Sequence, residues 1–316
     1  MSRHRAEHVG GSWTDETLVA LEAAGLDPLW VRDLVARVLE EDLGPRGEDV
    51  TTCATVPAEQ ERTGRVVARA AGVVAGMPLL PAILAGTADL LDLPMPSVEP
   101  QVTDGAEVAP GQVLAVLHGR TRVLLVAERA MLNLLCRLSG VATHTRAWVL
   151  ALAGTGVQVL DTRKTTPGLR PLEKYAVRCG GGTNKRMGLF DVAMIKDNHK
   201  VAAGSIKAAY DAVQQTYPDV EIQVEVETPV EAEEAVLAGA RFLLCDNMSV
   251  ALLAETVQHA RAVVPDPIEL EATGGLTLSQ ASAYATAGVD YLSVGALTHS
   301  SPVLDVALDV LPPDQD

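Results

Sequence analysis

The chain has 316 residues, 48% of them apolar and 21% charged. That is enough for one large domain or two ordinary ones with real cores, and it excludes bulk disorder. A formal charge of −16 and an aromatic content of 3% argue against a nucleic-acid partner, which needs a basic surface or stacking platforms.

The elements follow in chain order. Residues 1–27 read as a loosely docked lead-in, with no apolar signal segment in its polar start. Residues 28–42 place Leu29, Trp30, Leu34, Val35, Val38 and Leu39 at helical spacing behind a first-turn proline, and Gly44-Pro45-Arg46-Gly47 stops the helix. The uncharged run 70–88 has the length of a membrane span, but Pro78, Pro81 and its glycines make it strand, loop and short helix of a soluble domain. Short Val/Leu runs over 65–119, with turn signals at Asp104-Gly105 and Pro110-Gly111, predict a small antiparallel sheet. A long helical pattern covers about 123–153, with a break expected near Ser139-Gly140. Cys53, Cys136, Cys179 and Cys245 form no disulfide or ligand pattern, so reduced thiols and a cytoplasmic protein are expected.

From residue 157 the rhythm is regular. Apolar runs recur at 157–160, 192–195, 222–226, 242–245, 268–272 and 291–294, each ending in polar residues and followed by a helical stretch. This alternation implies parallel β/α units. Chemistry at every strand end favours a β/α barrel, whose active site sits at the C-terminal face of its strands. A doubly wound open sheet is the alternative, although no G-x-G-x-x-G follows the first strand.

The strand ends supply Thr162, Arg163, Lys164 and Lys196, then Glu225 and Asp246, then Thr273-Gly274-Gly275 and Val294-Gly295-Ala296. Cations facing carboxylates suit an anionic substrate held with a metal, and Mg²⁺ is commonly bound by one or two carboxylates plus phosphate oxygens. Glu225 and Asp246 are its expected ligands, directly or through water, although each alone reads equally well as ordinary strand-end solvation. Two glycine turns after the last two strands point to a phosphate site, with a plain turn as the competing explanation. Gly180-Gly181-Gly182 follows a helix over 171–178 and reads as its C-cap, or as a hinge carrying Asn184-Lys185-Arg186 over an anion. Arg163, Arg186 and Arg129 could each grip a carboxylate with a two-pronged pair; by spacing alone Arg129 reads as a solvated helix face. A Schiff-base lyase using Lys164 or Lys196 is a different class that would leave the phosphate turns and carboxylates unexplained. The charge distribution fits the anion reading. Residues 163–207 carry 10 basic and 3 acidic groups and hold all six lysines, whereas residues 208–316 carry 2 basic and 18 acidic groups.

These segments resemble the quinolinate phosphoribosyltransferase family. The resemblance is densest in EDLGPRGEDVTT (41–52), ERAMLNLLCRLSGVAT (128–143), DTRKTTPGLRPLEKYAVRCGGG (161–182), IKDNH (195–199) and GVDYLSVGALTHS (288–300). It implies a type II phosphoribosyltransferase fold of class α/β: an N-terminal α/β sandwich (28–132 and 301–316) after an extension (1–27), and an incomplete, TIM-like β/α barrel (133–300). It further implies a cytoplasmic homodimer with shared sites, in which Arg129 reaches the partner subunit's substrate. Arg163, Arg186 and Lys196 would hold the two quinolinate carboxylates, with Lys185 alongside and Thr162 in the same loop. Lys164 would contact phosphoribosyl pyrophosphate, and Glu225 and Asp246 would serve its ribose hydroxyls and Mg²⁺. Thr273, Gly274, Gly275, Val294, Gly295 and Ala296 would cradle the 5′-phosphate. Lys164, Lys196, Glu225 and Asp246 are the expected catalytic set, with no nucleic acid or membrane partner. The chain departs from the family in having Asn184-Lys185-Arg186 where Asn-His-Arg is usual, and Thr273 for the usual Ser. The first departure leaves a related pyridine carboxylate open as acceptor.

Overall fold

A computed structural model of the protein describes residues 12–313. Two compact units divide the chain. One runs to Thr143 and resumes at Pro302, and the other is His144–Ser301. Residues 1–11 of the expected lead-in lie outside the described residues.

In the first unit, residues 12–27 are not loosely docked. They carry helix α1 (Asp15–Ala23), and Trp13, Leu21 and Leu26 are all buried. Helix α2 (Pro28–Leu43) starts as expected: Asp27 accepts the Leu29 N–H at 2.9 Å, Pro28 takes the first turn, and Gly44 ends the helix at φ 60°. Asp49 caps α3 (Val50–Thr55), accepting the amides of Thr51 and Thr52 at 3.0 Å each. Then come β1 (Glu61–Ala68), β2 (Gly72–Val73), helix α4 (Leu79–Leu91), β3 (Ser97–Pro100), β4 (Glu107–Val108) and β5 (Val113–Arg120). The predicted antiparallel sheet is present, and the chain's return adds a fourth strand to it. The order is β12-β1-β5-β3, with β12 (Val306–Val310) antiparallel to β1. The apolar run at 70–88 resolves into β2 and most of α4, whose Leu79, Leu80, Ile83 and Leu84 are buried in the core.

Helix α5 (Thr121–Ala151) is unbroken over 31 residues, which corrects the expected break at Ser139-Gly140. Glycine reads as a helix breaker, but here it answers a packing need. A Cβ at Gly140 would stand 2.0 Å from the carbonyl oxygen of Pro302. The returning chain lies against the helix at that point, and Leu304 N–H bonds the Cys136 carbonyl at 3.0 Å.

The second unit holds the six parallel strands that the rhythm predicts. They are β6 (Gln158–Leu160), β7 (Ala193–Ile195), β8 (Ile222–Val226), β9 (Phe242–Asp246), β10 (Glu269–Thr273) and β11 (Tyr291–Ser293). Their order, β6-β11-β10-β9-β8-β7, leaves β6 and β7 as edges of an incomplete barrel. Between β6 and β7, Thr183 makes one parallel bridge to Leu160. The helices between strands are α6 (Arg170–Cys179), α7 (Asp197–Ala203), α8 (Ile206–Thr216), α9 (Pro229–Ala238), α10 (Val250–Val263) and α11 (Ala281–Ala285), with α12 (Ala296–His299) after β11. Side-chain caps open several of them: Ser205 for α8, Thr228 for α9 and Ser249 for α10. No helix of the described residues is long and apolar enough to cross a membrane.

Candidate active site

The C-terminal ends of the six strands surround a cavity of about 500 Å³. After β6, Thr162, Arg163 and Lys164 line it, on a loop held from several sides. Lys164 N–H bonds Thr162 Oγ1 at 3.1 Å, and the buried Glu173 of α6 accepts the amide and hydroxyl of Thr166 at 2.9 and 2.8 Å. Lys185 and Arg186 follow the glycine triplet, which is a C-cap: the Gly181 and Gly182 amides donate to the carbonyls of Arg178 and Val177. Lys196 stands after β7, Glu225 on β8, and Asp246 at the end of β9. Thr273, Gly274 and Gly275 close the ring after β10.

Two ion pairs cross the cavity wall. Lys185 bonds Glu271 of β10, and Lys196 bonds Glu225. Burial pushes the Lys185 ammonium down from its usual range, and the Glu271 charge opposes that shift. Among the described residues no carboxylate pairs with Arg163, Lys164 or Arg186. Burial and the like charge of Arg163 both press the Arg186 guanidinium downward. The Asp191 charge opposes them only in part, so an anion at this wall would relieve the repulsion between the two guanidinium groups. The opposite wall has the reverse problem. The Asp246 carboxyl is pushed up by burial and then by the Glu225 charge, and only Lys196 and a 2.7 Å bond from Asn247 Nδ2 relieve it. A divalent cation would relieve that repulsion. Two carboxylates completed by substrate phosphate oxygens are an ordinary Mg²⁺ donor set, so the residues present fit such an ion. No group of three or more His, Cys, Asp or Glu side chains among the described residues could hold a metal ion on its own.

The glycine turn after β10 is built against the β9 loop. Gly274 sits at φ 97°, and a Cβ there would fall 2.2 Å from Asn247 Oδ1; the Asn247 amide bonds the Thr273 carbonyl at 3.0 Å. Of the residues after β11, Val294 is buried with its amide bonded to the Leu160 carbonyl at 2.9 Å. Gly295 leaves room for Lys164, whose Cδ would be 3.1 Å from a Cβ at that position, and Ala296 opens α12. These three are not among the cavity-lining residues; Ser293, just before them, is. Arg129 belongs to the other unit, on α5, where its side chain is 62% exposed and its guanidinium lies 4.0 Å from the Glu128 carboxylate.

Sequence reasoning missed Glu271, Ser293, Leu244, Met194 and Asn247, all of which line the cavity. Strand alternation was the available signal. Residues two positions before an assigned strand-end residue point to the same face, which selects Glu271 from Thr273, Leu244 from Asp246 and Met194 from Lys196. Glu271 is fully buried, and its Oε1, like Ser293 Oγ, has no hydrogen-bond partner among the described residues.

Family models for the N-terminal and C-terminal domains of quinolinate phosphoribosyl transferase match residues 49–139 and 141–309. The chain is 45% identical over 279 residues to the carboxylating nicotinate-nucleotide pyrophosphorylase of Mycobacterium leprae, covering 88% of this chain and 96% of the relative. It is 38% identical over 295 residues to a decarboxylating quinolinate phosphoribosyltransferase of Nicotiana tabacum, with 89% and 82% covered. Among solved structures, NadC from Streptococcus pyogenes superposes with a TM-score of 0.83 at 34% identity, over 91% of this chain and 99% of that one.

Proposed function

The chain belongs to the quinolinate phosphoribosyltransferase family, and we propose on that footing how its cavity carries the family's reaction. The activity is a pentosyl transfer in NAD biosynthesis: quinolinate and phosphoribosyl pyrophosphate give nicotinate mononucleotide, CO₂ and pyrophosphate. The observation that carries the assignment of residues is the polarity of the cavity, with unpaired cations on one wall and crowded carboxylates on the other.

Arg163, Arg186 and Lys196 hold the two acceptor carboxylates, with Lys185 beside them. The arginines can do so by two-pronged pairs. Lys164 binds phosphoribosyl pyrophosphate. Thr162 holds the Lys164 amide, and Thr273-Gly274-Gly275 take the 5′-phosphate, with Gly295 leaving room for Lys164 beside them. The pyridine nitrogen attacks the anomeric carbon as the bond to pyrophosphate breaks. Glu225 and Asp246 stand where positive charge grows on the ribose, so their field stabilises that charge as it develops. The same two carboxylates would hold Mg²⁺, which when bound neutralises charge on the departing pyrophosphate. The nitrogen is then a pyridinium. When the C2–carboxylate bond breaks, its electron pair stays on C2, stabilised by the adjacent cationic nitrogen, and C2 takes a proton. No lysine need form a Schiff base, because Lys164 and Lys196 serve here as charged anion-binding groups. The working unit is a homodimer in which the partner's Arg129 completes each site.

The test is incubation of the pure protein with both substrates and Mg²⁺. Nicotinate mononucleotide, CO₂ and pyrophosphate should appear in equal amounts and stop when EDTA removes the metal. Absence of all three across pH and Mg²⁺ would reject the reading. A panel of pyridine carboxylates run alongside decides whether Lys185 with Glu271 admits another acceptor.

A further inference from the structure

Behind the cavity, Asp161 at the end of β6 and Lys174 of α6 form an ion pair with both side chains wholly enclosed. Neither residue lines the cavity. Coulomb attraction alone is a poor reason for such a pair, because desolvation of two charges offsets most of the gain and an apolar pair often serves stability as well. What an apolar pair cannot do is hold the neighbouring segment. Asp161 Oδ1 accepts the Lys185 amide at 2.8 Å, and Asp161 Oδ2 accepts Asn184 Nδ2 at 2.6 Å. Lys174 Nζ donates to the Lys185 carbonyl at 3.0 Å, and Asn184 Nδ2 also reaches the Lys174 carbonyl at 2.8 Å. Both backbone polar groups of Lys185 are thus tied to one buried pair. From that anchored backbone Lys185 reaches Glu271, and Arg186 follows as the next residue.

We propose that Asp161 and Lys174 are positioning residues for acceptor binding: the pair sets where Lys185 and Arg186 stand without touching the substrate. This rests on the quinolinate reading for its kinetic consequence, but not for its structural one. The variant to make in the full-length protein is Asp161→Asn/Lys174→Met, which removes both charges together and leaves no lone buried ion. Two measurements are taken. Amide exchange followed by mass spectrometry on peptides spanning residues 184–186 should quicken about tenfold or more in the double variant, while the other parallel strands keep their protection. The KM for quinolinate should rise about tenfold or more, as displaced binding groups do, with the KM for phosphoribosyl pyrophosphate within about twofold. Asn184→Ala keeps both buried charges and removes the Asn184 bonds to Asp161 and to the Lys174 carbonyl, so its effects should be smaller in the same direction. It also serves if the double variant does not fold. Unchanged exchange and unchanged KM would overturn the inference. So would equal rises in both KM values with exchange quickened throughout, since that marks general loosening. If the wild-type protein does not turn over quinolinate, the functional reading fails, and the exchange measurement alone decides the positioning role.

Discussion

Arg163 and Lys185 show how differently two cations in one cavity can be used. Arg163 has no carboxylate partner among the described residues and crowds Arg186, so its guanidinium is available to the ligand. Replacing it by lysine keeps the charge and loses the planar fork. Arg163→Lys should therefore raise the quinolinate KM about tenfold in initial-rate assays with little change for the other substrate. Lys185, by contrast, is balanced by Glu271. Glu271→Gln removes the charge that opposes the downward push of burial on Lys185. The amine then loses its proton at lower pH than in the wild type, and the quinolinate KM should climb with pH earlier. Stability carries the matching sign. An unpartnered buried ammonium costs about 3 kcal/mol, and the unfolded chain binds that proton more tightly than the folded one, so the deficit shrinks as pH rises. Denaturant midpoints measured across pH check this. The strand-end cations and carboxylates were legible because they sit at the ends of apolar runs. Glu271 was not, because a glutamate inside a strand of the acidic final third looks like one more solvated charge until alternation is applied to Thr273.

Helices and strands were legible where one physical cause dominated. The six parallel strands follow apolar runs closely, and α2 follows its proline and its periodicity. Gly140 shows where two causes compete. In an exposed helix Gly→Ala gains about 1 kcal/mol, and that prior produced the expected break. At Gly140 the new methyl would stand 2.0 Å from a backbone carbonyl, and overpacking of this kind costs about 1–3 kcal/mol. Gly140→Ala should therefore lower stability, with the denaturant midpoint falling and the slope unchanged. No local signal announced this, because Pro302 is far along the chain. The cap of α3 is a local device and tests differently. Asp49 is held below the ordinary carboxylate range by the Thr52 hydroxyl, then by the amides of Thr52 and Thr51. Its stabilisation is present above the ordinary aspartate pKa and is lost as pH falls through the lower folded value. Asp49→Ala should cost about 1 kcal/mol at neutral pH, and the two proteins should converge in acid melts.

For the whole molecule, the net charge of −16 describes the outside, and the cavity takes three of the six lysines, Lys164, Lys185 and Lys196. Three of its cations, Arg163, Lys164 and Arg186, have no ion-pair partner among the described residues, so added salt should raise the KM for both anionic substrates; screening shortens from about 10 Å at 0.1 M to about 3 Å at 1 M. The proposed shared site predicts complementation. Mixing inactive Arg129→Ala and Lys164→Ala chains should restore about a quarter of wild-type activity once subunits exchange at random, because a hybrid dimer holds one intact site. No recovery after confirmed exchange would leave each chain with a site of its own. The return of the chain to the first unit has a consequence for synthesis. Strand β1 is hydrogen-bonded along one side to β12, with Gly64 opposite Val310. Every residue from His144 to Ser301 is translated between those two partners. On the ribosome, at about 5–20 residues per second, the unit begun first waits for its last strand until the other has been made in full. A chain paused before Pro302 carries β1 as an open edge, the form in which nascent sheets are most prone to pair with the wrong neighbour.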